Sequence, residues 1–254
     1  MIVHFKYNKM CVKYFTNIWD EIVTWCHDGV EPEPDFTDIH YGLLYNWYVA
    51  NNPLIAPIGW HPPSDDEFKS LEIAIGMDPA TADLYNYRGT TEGGELKEIG
   101  LIYWITPNTG ATNEWNFDMR GAGSRQTALI NFISLNELGT LWSSSSGTGG
   151  FINHGIMRQF GYNTSQINRT RTLKYYGFSI RCIKDDAVDP GAVTDYDGNI
   201  YPTIKIGNQV WMAQNLIVKH YNDGTPIPEE QNNVAWAALI TGAWCYYNND
   251  SANM

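Results

Sequence analysis

The pattern of apolar residues is clearest between positions 41 and 75, where it predicts two helices around a rigid connector. Large apolar side chains recur at helical spacing at Tyr41, Leu44, Tyr45 and Tyr48. Two asparagines and Pro53 end this pattern, because proline lacks the backbone N–H that a helix interior requires. The sequence therefore predicts a helix over 42–50 whose aromatic side faces a core.

A second helix is predicted over 65–75. Ser64 and Glu67 have the spacing of a capping box, in which two side chains satisfy free backbone donors at a helix start. The apolar residues that share one helical face are Phe68, Leu71, Ala74 and Ile75. Gly76 then ends the helix, because glycine readily adopts the left-handed conformation found there.

Later in the chain, short antiparallel strands are predicted. Residues 151–160 and 166–183 are separated by the turn-rich run Gly-Tyr-Asn-Thr-Ser, which indicates a long hairpin. Near its end, Phe178 and Ile180 occupy alternate positions. Two helices combined with hairpins predict an α+β fold with mostly antiparallel sheets and exclude a doubly wound parallel sheet.

The segment 193–254 follows a short linker, 187–192, and adds further hairpins. An Asp-Gly pair at 197 and a Gly-Asn pair at 207 are turn signals beside alternating apolar residues. The residues expected to face the core are Ile200, Ile204, Ile206, Val210 and Trp211.

The first 36 residues carry a separate apolar stripe. Its members, which predict a helix, are Phe15, Ile18, Trp19, Ile22, Val23 and Cys26. The run Glu-Pro-Glu-Pro-Asp that follows is typical of a stiff spacer. Two interpretations stay open, namely packing onto the rest of the domain and a docking or oligomerisation helix.

Composition argues against several partners. The chain of 254 residues is 43% hydrophobic, which suffices for a buried core, and has a net charge of -12. This charge gives no long-range attraction to nucleic acid or anionic lipid. No apolar run approaches the length of a spanning helix, and no secretory signal is visible at the start. We therefore expect no nucleic-acid binding and no membrane insertion.

The four cysteines are widely spaced, at Cys11, Cys26, Cys182 and Cys245. They form no Cys-x-x-Cys pair, so zinc is not indicated. All four are predicted to be free thiols, and Cys182 with Cys245 is the one disulfide to test.

An oxygen-rich loop covers residues 107–118. Calcium prefers carboxylate and amide oxygens, and the candidate ligands are Asn113, Glu114, Asn116 and Asp118. A loop held by its own hydrogen bonds is the favoured alternative. We expect no cofactor, with calcium as the one candidate.

The predicted 151–183 hairpin is rich in side chains typical of binding surfaces. Tyrosine rings give contact area at small entropic cost, while amides and guanidinium groups give hydrogen bonds. The candidate ligand-binding residues are Asn153, His154, Arg158, Tyr162, Asn163, Asn168, Arg169, Arg171, Tyr175 and Tyr176. For any one of them a solvated sheet face is the simpler interpretation, whereas the cluster as a whole favours binding.

Several runs within 41–185 resemble a known family. In order they are YGLLYNW, GWHPPSDDEFKSL, GGELKEIG, GATNEWNFD, LWSSSS and YGFSIRCIKD. Together they resemble the Fibrobacter succinogenes major paralogous domain, a branch of the C-type-lectin-like superfamily related to formylglycine-generating and phage variable proteins. Within 194–253, the runs DYDGNIYPTIKIGNQVWMAQNL and GAWCYYNND resemble the beginning of the same domain. The order is therefore permuted here.

The resemblance implies a C-type-lectin-like fold with two short helices on twisted antiparallel sheets, circularly permuted or strand-swapped. Residues 37–186 would form its main part, completed by 193–254. Residues 41–186 alone would leave sheet edges uncovered, which soluble proteins avoid. We favour completion within one chain, with exchange between chains, as in a homotrimer, as the alternative.

The resemblance also implies a class of function. A formylglycine-generating enzyme needs a reactive cysteine pair, and Cys182 lies in an apolar strand without a sequence partner, so we expect no enzyme activity. Phage variable proteins place their binding residues where the 151–176 hairpin lies. This favours a non-catalytic recognition module that binds a host-surface glycan or protein.

The expected setting is a phage virion, as a fibre or decoration protein beside other virion proteins. An extracellular or cell-surface location reached without a signal peptide is the alternative. A purely structural role in either setting is the alternative function.

Overall fold

The computed structural model describes residues 41–126 and 131–254. The stripe and spacer predicted within 1–36, and with them Cys11 and Cys26, lie outside the described residues. The described residues belong to one compact unit. The α-helices among the described residues are α1 (Trp47–Ala50), α2 (Asp65–Ala74), α3 (Pro79–Ala82), α4 (Glu92–Leu96) and α5 (Asn233–Ala237).

The strands of the same ranges are short. They are β1 (Leu44–Tyr45), β2 (Trp60–His61), β3 (Asn86–Arg88), β4 (Ala122–Arg125), β5 (Phe132–Leu135), β6 (Leu138–Ser146), β7 (His154–Gly161), β8 (Ile167–Leu173), β9 (Ile183–Lys184), β10 (Ala192–Thr194), β11 (Ile200–Ile206), β12 (Gln209–Met212) and β13 (Trp244–Cys245). Every pairing between these strands is antiparallel.

The strands form two larger sheets and two pairs. One sheet has the order β10-β11-β12-β9-β2, and the other has the order β3-β8-β7-β6. The pairs are β1 with β13 and β4 with β5. The predicted class, α+β with mostly antiparallel sheets, is confirmed. None of the helices described in 41–126 and 131–254 is long and apolar enough to cross a membrane.

The helix predicted over 65–75 is confirmed as α2. The Oγ of Ser64 accepts from the N–H of Glu67 at 3.2 Å, while the carboxylate of Glu67 accepts from the N–H of Ser64 at 2.7 Å. The predicted capping box is therefore present. Phe68 and Leu71 are buried on the core face, and Gly76 has the expected positive φ, 115°.

The helix predicted over 42–50 is only partly present. It begins at Trp47, and Leu44–Tyr45 instead forms β1, in which Leu44 pairs with Cys245. The prediction was wrong for 42–46 because every side chain from 41 to 47 is buried. When every side chain of a segment is buried, the spacing of the large ones does not distinguish a helix from a strand.

The segment 41–47 is buried throughout because it passes between three apolar clusters. Tyr45 belongs to the largest cluster, which includes Trp142. Tyr41 belongs to a second cluster, which includes Trp211. Leu44 belongs to a third, which it shares with α5. This one segment therefore ties the three clusters together.

Two hairpins predicted within 193–254 are confirmed. β10 pairs with β11 across the turn 195–199, and β11 pairs with β12 with Ile206 opposite Gln209. Three of the predicted core residues, Ile206, Val210 and Trp211, are fully buried.

The other two predicted core residues of this segment are less buried. Ile204 is partly buried, and the prediction for Ile200 is wrong, since it is 68% exposed. Tyr201 and Thr203 face inward in the first half of β11 and Ile206 in the second, so the alternation changes phase within the strand.

The hairpin predicted over 151–183 is present but shorter. β7 pairs with β8 with Phe160 opposite Ile167, and β8 ends at Leu173. Beyond it the chain leaves this sheet, and Phe178 exchanges backbone hydrogen bonds with Tyr45 at 2.8 and 2.9 Å. The alternation of Phe178 and Ile180 does not mark a strand of the hairpin, because residues 177–182 are all buried.

The segment 193–254 packs against the rest of the unit within the single chain described. In addition to the β1–β13 pair, the backbone N–H of Tyr41 donates to the carbonyl oxygen of Met254 at 2.8 Å. Arg125 of β4 donates to the carbonyl oxygen of Gln231 at 3.0 Å and lies 4.3 Å from the ring centroid of Trp236. Backbone pairing and side-chain contacts thus both join the two segments.

A buried ion-pair network joins α2 to β3, β7 and β8. Two carboxylates from α2 meet one arginine from each strand, and none of the five residues is more than 7% exposed: Asp65, Glu72, Arg88, Arg158 and Arg169. Arg158 bridges the two carboxylates, with Nη1 2.8 Å from Asp65 Oδ1 and Nε 2.6 Å from Glu72 Oε1. The network fixes the position of the helix on the sheet.

The outer two arginines complete the pairing. Arg169 binds both oxygens of Asp65, at 2.6 and 2.9 Å, and Arg88 lies 2.5 Å from Glu72 Oε2. Burial by itself would raise the pKa of Asp65, but the hydrogen bonds and charges of Arg169 and Arg158 lower it to about 2. Asp65 is therefore ionised at neutral pH.

We expect replacement of Asp65 by Asn to destabilise the fold by about 3–5 kcal/mol, because removing one partner leaves buried guanidinium groups uncompensated. The matched control is Asp66→Asn. Its side chain is 88% exposed and pairs with Lys69, so the expected effect is under about 0.5 kcal/mol. Urea unfolding of both variants measures the difference, and equal effects would contradict a role of the network in stability.

Completion of the unit within one chain predicts a monomer whose melting temperature does not depend on protein concentration. Light scattering on the full-length chain measures the molar mass in solution. Calorimetry at two protein concentrations measures the melting temperature. A strictly oligomeric chain that loses its fold on dilution would instead show that 193–254 is exchanged between chains. Under either arrangement, deletion of 193–254 should leave the remainder insoluble.

Candidate binding surface

The predicted binding residues do not share one surface. β7 and β8 run side by side, so residues near the 162–166 turn and residues near 153 and 175 lie at opposite ends, roughly 20 Å apart at about 3.3 Å per residue. The middle of the hairpin is covered by α2. The ten candidates therefore separate into a buried middle and two ends.

Arg158 and Arg169 occupy the buried middle. They are 0% and 6% exposed, and their donors are taken by Asp65, by Glu72 and by backbone carbonyl oxygens. The expectation that they lie on a solvated face is therefore wrong. Sequence alone does not show that the facing helix supplies carboxylates at matching positions.

The turn end contains Tyr162, Asn163 and Asn168. Tyr162 packs against the second apolar cluster, and Asn168 donates to the side-chain oxygen of Gln159 at 3.2 Å. Asn163 is exposed. Most polar groups at this end thus have neighbours within the protein.

Two tyrosines at the other end of the hairpin also support the fold. Tyr176 packs against the largest cluster, with its ring 6.1 Å from that of Phe178. The carbonyl oxygen of Tyr175 accepts from the indole N–H of Trp236 at 2.5 Å, and burial raises the pKa of its phenol. Nearby, Asn153 is exposed.

Arg171 lies in a different environment at this end. Its guanidinium carbon is 3.5 Å from the ring centroid of Phe151 and 5.0 Å from that of Tyr85. The ring of His154 meets Phe151 nearly at right angles, at 5.4 Å. We call these four residues, Tyr85, Phe151, His154 and Arg171, the Arg171 surface.

Hydrogen-bonding capacity at the Arg171 surface is unused. Within the described residues, the guanidinium of Arg171 makes no hydrogen bond or ion pair, and it lies beside the two rings. Nδ1 of His154 is buried without a hydrogen-bond partner in the same ranges. The surface therefore presents a guanidinium group that lies beside aromatic rings and has N–H donors without a described partner.

Two of the four residues of this surface, Tyr85 and Phe151, are not among the predicted binding residues. Phe151 was the first residue of the predicted hairpin, but its ring gave no sign of facing solvent. Tyr85 comes from the polar stretch before β3 and reaches Arg171 because β3 pairs with β8. The one sequence signal for Phe151 is its position two residues before the candidate Asn153.

The candidate calcium loop is closed by its own side chains. The amide of Asn113 donates to the carboxylate of Asp118, whose backbone N–H donates back to Asn113 at 3.0 Å. Glu114 and Asn116 are exposed. No group of three or more His, Cys, Asp or Glu residues that could hold a metal occurs in 41–126 and 131–254. Hydrogen bonds between Asn113 and Asp118 thus hold the loop, and calcium binding by it stays a prediction.

The two described cysteines are free and buried, as predicted. Burial raises the pKa of the Cys245 thiol to about 12 and that of Cys182 further. Both therefore remain protonated thiols at neutral pH, which is the weakly nucleophilic form.

His61 joins two carboxylates beside α2. Nε2 lies 2.8 Å from Glu67 Oε1, and Nδ1 lies 2.6 Å from Asp185 Oδ1. The hydrogen bond to Glu67 raises the pKa of His61, burial opposes it, and Asp185 adds to the increase, so that the pKa is about 9. A ring with both nitrogens donating is an imidazolium that links the α2 start to residue 185.

This link predicts a pH dependence of stability. Because folding raises the pKa of His61, its stabilising contribution is complete below pH 6.5 and is lost as the pH rises through about 9. The melting temperature of the wild type should fall more steeply between pH 6.5 and 9.5 than that of His61→Gln. Parallel curves for the two proteins would show that His61 does not stabilise the fold through its charge.

Comparison with known proteins agrees with the motifs. A family model, the Fibrobacter succinogenes major domain, matches residues 18–184 and 204–254. No curated protein and no solved structure gave a significant match to the sequence. The two matched ranges cover most of the chain and include the Arg171 surface. The chain therefore belongs to the Fibrobacter succinogenes major domain family.

Proposed function

We propose that this chain is a non-catalytic recognition module that binds a host-surface glycan through the Arg171 surface. The observation that carries the proposal is the guanidinium of Arg171, which lies beside two aromatic rings and forms no hydrogen bond or ion pair with any described residue. In the free protein water hydrogen-bonds to such a group, and a ligand oxygen can replace that water.

A series of contacts connects the surface to the buried ion-pair network, which favours binding. Asp65 fixes Arg169 through two hydrogen bonds, and Arg169 lies 4.1 Å from the ring centroid of Tyr85. Tyr85 in turn contacts Arg171, and Arg171 contacts Phe151. Because each side chain is positioned by the previous one, little conformational entropy remains to be lost on binding.

The exposed rings favour a sugar as the ligand. Tyr85 and Phe151 are each 40% exposed, and Ile152 and Leu84 beside them are 64% and 57% exposed. A sugar ring presents an apolar C–H face to such rings and hydroxyl groups to neighbouring donors. The surface supplies both kinds of contact in the area around one guanidinium.

The resemblance to C-type-lectin-like and phage variable proteins extends this proposal. From this resemblance we propose a C-type-lectin-like fold and a place in a phage virion. Phage variable proteins also bind their ligands through the region that corresponds to the hairpin. The antiparallel α+β architecture is compatible with it.

A structural role is the second candidate, and a separate feature favours it. Ile99, Leu101 and Ile102 are each 61–65% exposed in one short segment of the described chain. Neighbouring exposed apolar residues often mark a contact with another protein. A particle component would use such a contact for assembly.

Removal of either exposed ring tests recognition. We expect Tyr85→Ala and Phe151→Ala to weaken binding to a printed glycan array about fivefold or more, since a stacked ring contributes about 1 kcal/mol. Tyr196→Ala removes a ring that is 57% exposed on the β10–β11 turn and is the matched control.

The outcomes separate the two candidates. Unchanged binding in the Tyr85 and Phe151 variants, or equal loss in Tyr196→Ala, would contradict the assignment to the Arg171 surface. Absence of binding to the array and to host cells would favour the structural role.

A further inference from the structure

Three of the hairpin arginines lie on one face of β7 and β8, but carboxylates are available for only two of them. In the strand register Arg158 lies opposite Arg169, and Ile156 lies opposite Arg171, so all three arginines point to the side covered by α2. Asp65 pairs with both Arg158 and Arg169. Arg171 lies one inward-facing position further along β8, where no described carboxylate forms an ion pair with it.

Arg171 has donors left for a ligand. Its guanidinium carbon lies 3.5 Å and 5.0 Å from the ring centroids of Phe151 and Tyr85, its side chain is partly exposed, and no hydrogen bond or ion pair joins it to another described residue. A planar fork of N–H donors matches a carboxylate, which accepts two parallel hydrogen bonds. The unpaired donors thus favour an anion of that shape.

The neighbouring groups fit the rest of a sugar ring. Phe151 and Tyr85 are each 40% exposed and lie beside the cation, so both rings provide apolar contact next to it. A carboxylate on the guanidinium and a sugar ring on the two aromatic rings together correspond to one residue of a glycan. An extended acidic peptide would make use of only the cation.

We infer that the Arg171 surface binds a carboxylate-bearing sugar, with the carboxylate on Arg171 and the apolar face of the sugar ring on Phe151 and Tyr85. This inference rests on the proposed function and adds the class of ligand. The protein carries a net charge of -12, so its long-range field repels acidic glycans. Selective retention of such glycans would therefore come from local contacts and not from general attraction.

The test uses the full chain on an array of glucuronate- and sialate-terminated glycans, each printed beside its carboxyl methyl ester. We expect the wild type to bind the carboxylates at least tenfold more tightly than the esters. Arg171→Gln should weaken carboxylate binding about tenfold or more, because a hydrogen bond to a charged group is lost. Arg171→Lys keeps the charge but loses the planar fork, so its binding should be intermediate.

Lys205→Gln is the matched control. It removes one positive charge at an exposed position of β11, where Lys205 donates to the carbonyl oxygen of Ala187 at 2.9 Å, and should leave binding unchanged. Melting temperatures are measured for all variants. If Arg171→Gln fails to fold, the comparison of Arg171→Lys with the wild type decides the test.

Equal binding of acids and esters would overturn the inference and leave the proposed glycan recognition standing. Carboxylate binding that is unchanged in both Arg171 variants would also overturn it. Absence of binding to every glycan would overturn the inference and the proposed function together. Capture of a deglycosylated acidic protein, with no glycan bound, would show that the ligand class is wrong.

Discussion

The architecture depends on the burial of three arginines with two carboxylates between α2 and the β3-β8-β7 sheet. Desolvated charges are stable only when every donor and acceptor has a partner in good geometry, so the helix can occupy only one position on the sheet. A purely apolar contact would tolerate sliding of the helix. The ion pairs therefore determine how α2 is placed on the sheet, and the apolar clusters stabilise that arrangement. The same ion pairs hold the β7–β8 hairpin, which carries part of the Arg171 surface.

The sequence was sufficient to predict elements with local signals. The capping box at Ser64 and Glu67 fixed the start of α2, and the two turns of the C-terminal segment fixed its hairpins. The prediction was wrong where burial was complete, as in 42–46, because helical spacing is informative only for an element with one buried side. Strands have a similar limitation, as Ile200 shows. The inward-facing positions of β11 shift by one residue along the strand, and this shift depends on what packs on the sheet.

The candidate site was predictable in its location but not in its membership. The sequence does not distinguish Arg158, Arg169 and Arg171 as binding residues, because the three have the same side chain in similar local sequences. Only the tertiary structure shows that α2 supplies carboxylates to the first two. Tyr85 was not predictable at all, because it reaches the hairpin through the pairing of β3 with β8, two strands that are far apart in the sequence.

The hydrogen bond between Tyr41 and Met254 gives the unit a further property. Two positions that are far apart in the sequence are adjacent in the structure. The contacts between the segments would therefore be the same if the backbone were joined there and cut at another loop. The order in which the two segments are encoded is then free to change during evolution while the folded contacts stay the same. A gene rearrangement that placed 193–254 before Tyr41 would keep the contacts between the two segments, because the chain already brings Tyr41 and Met254 together.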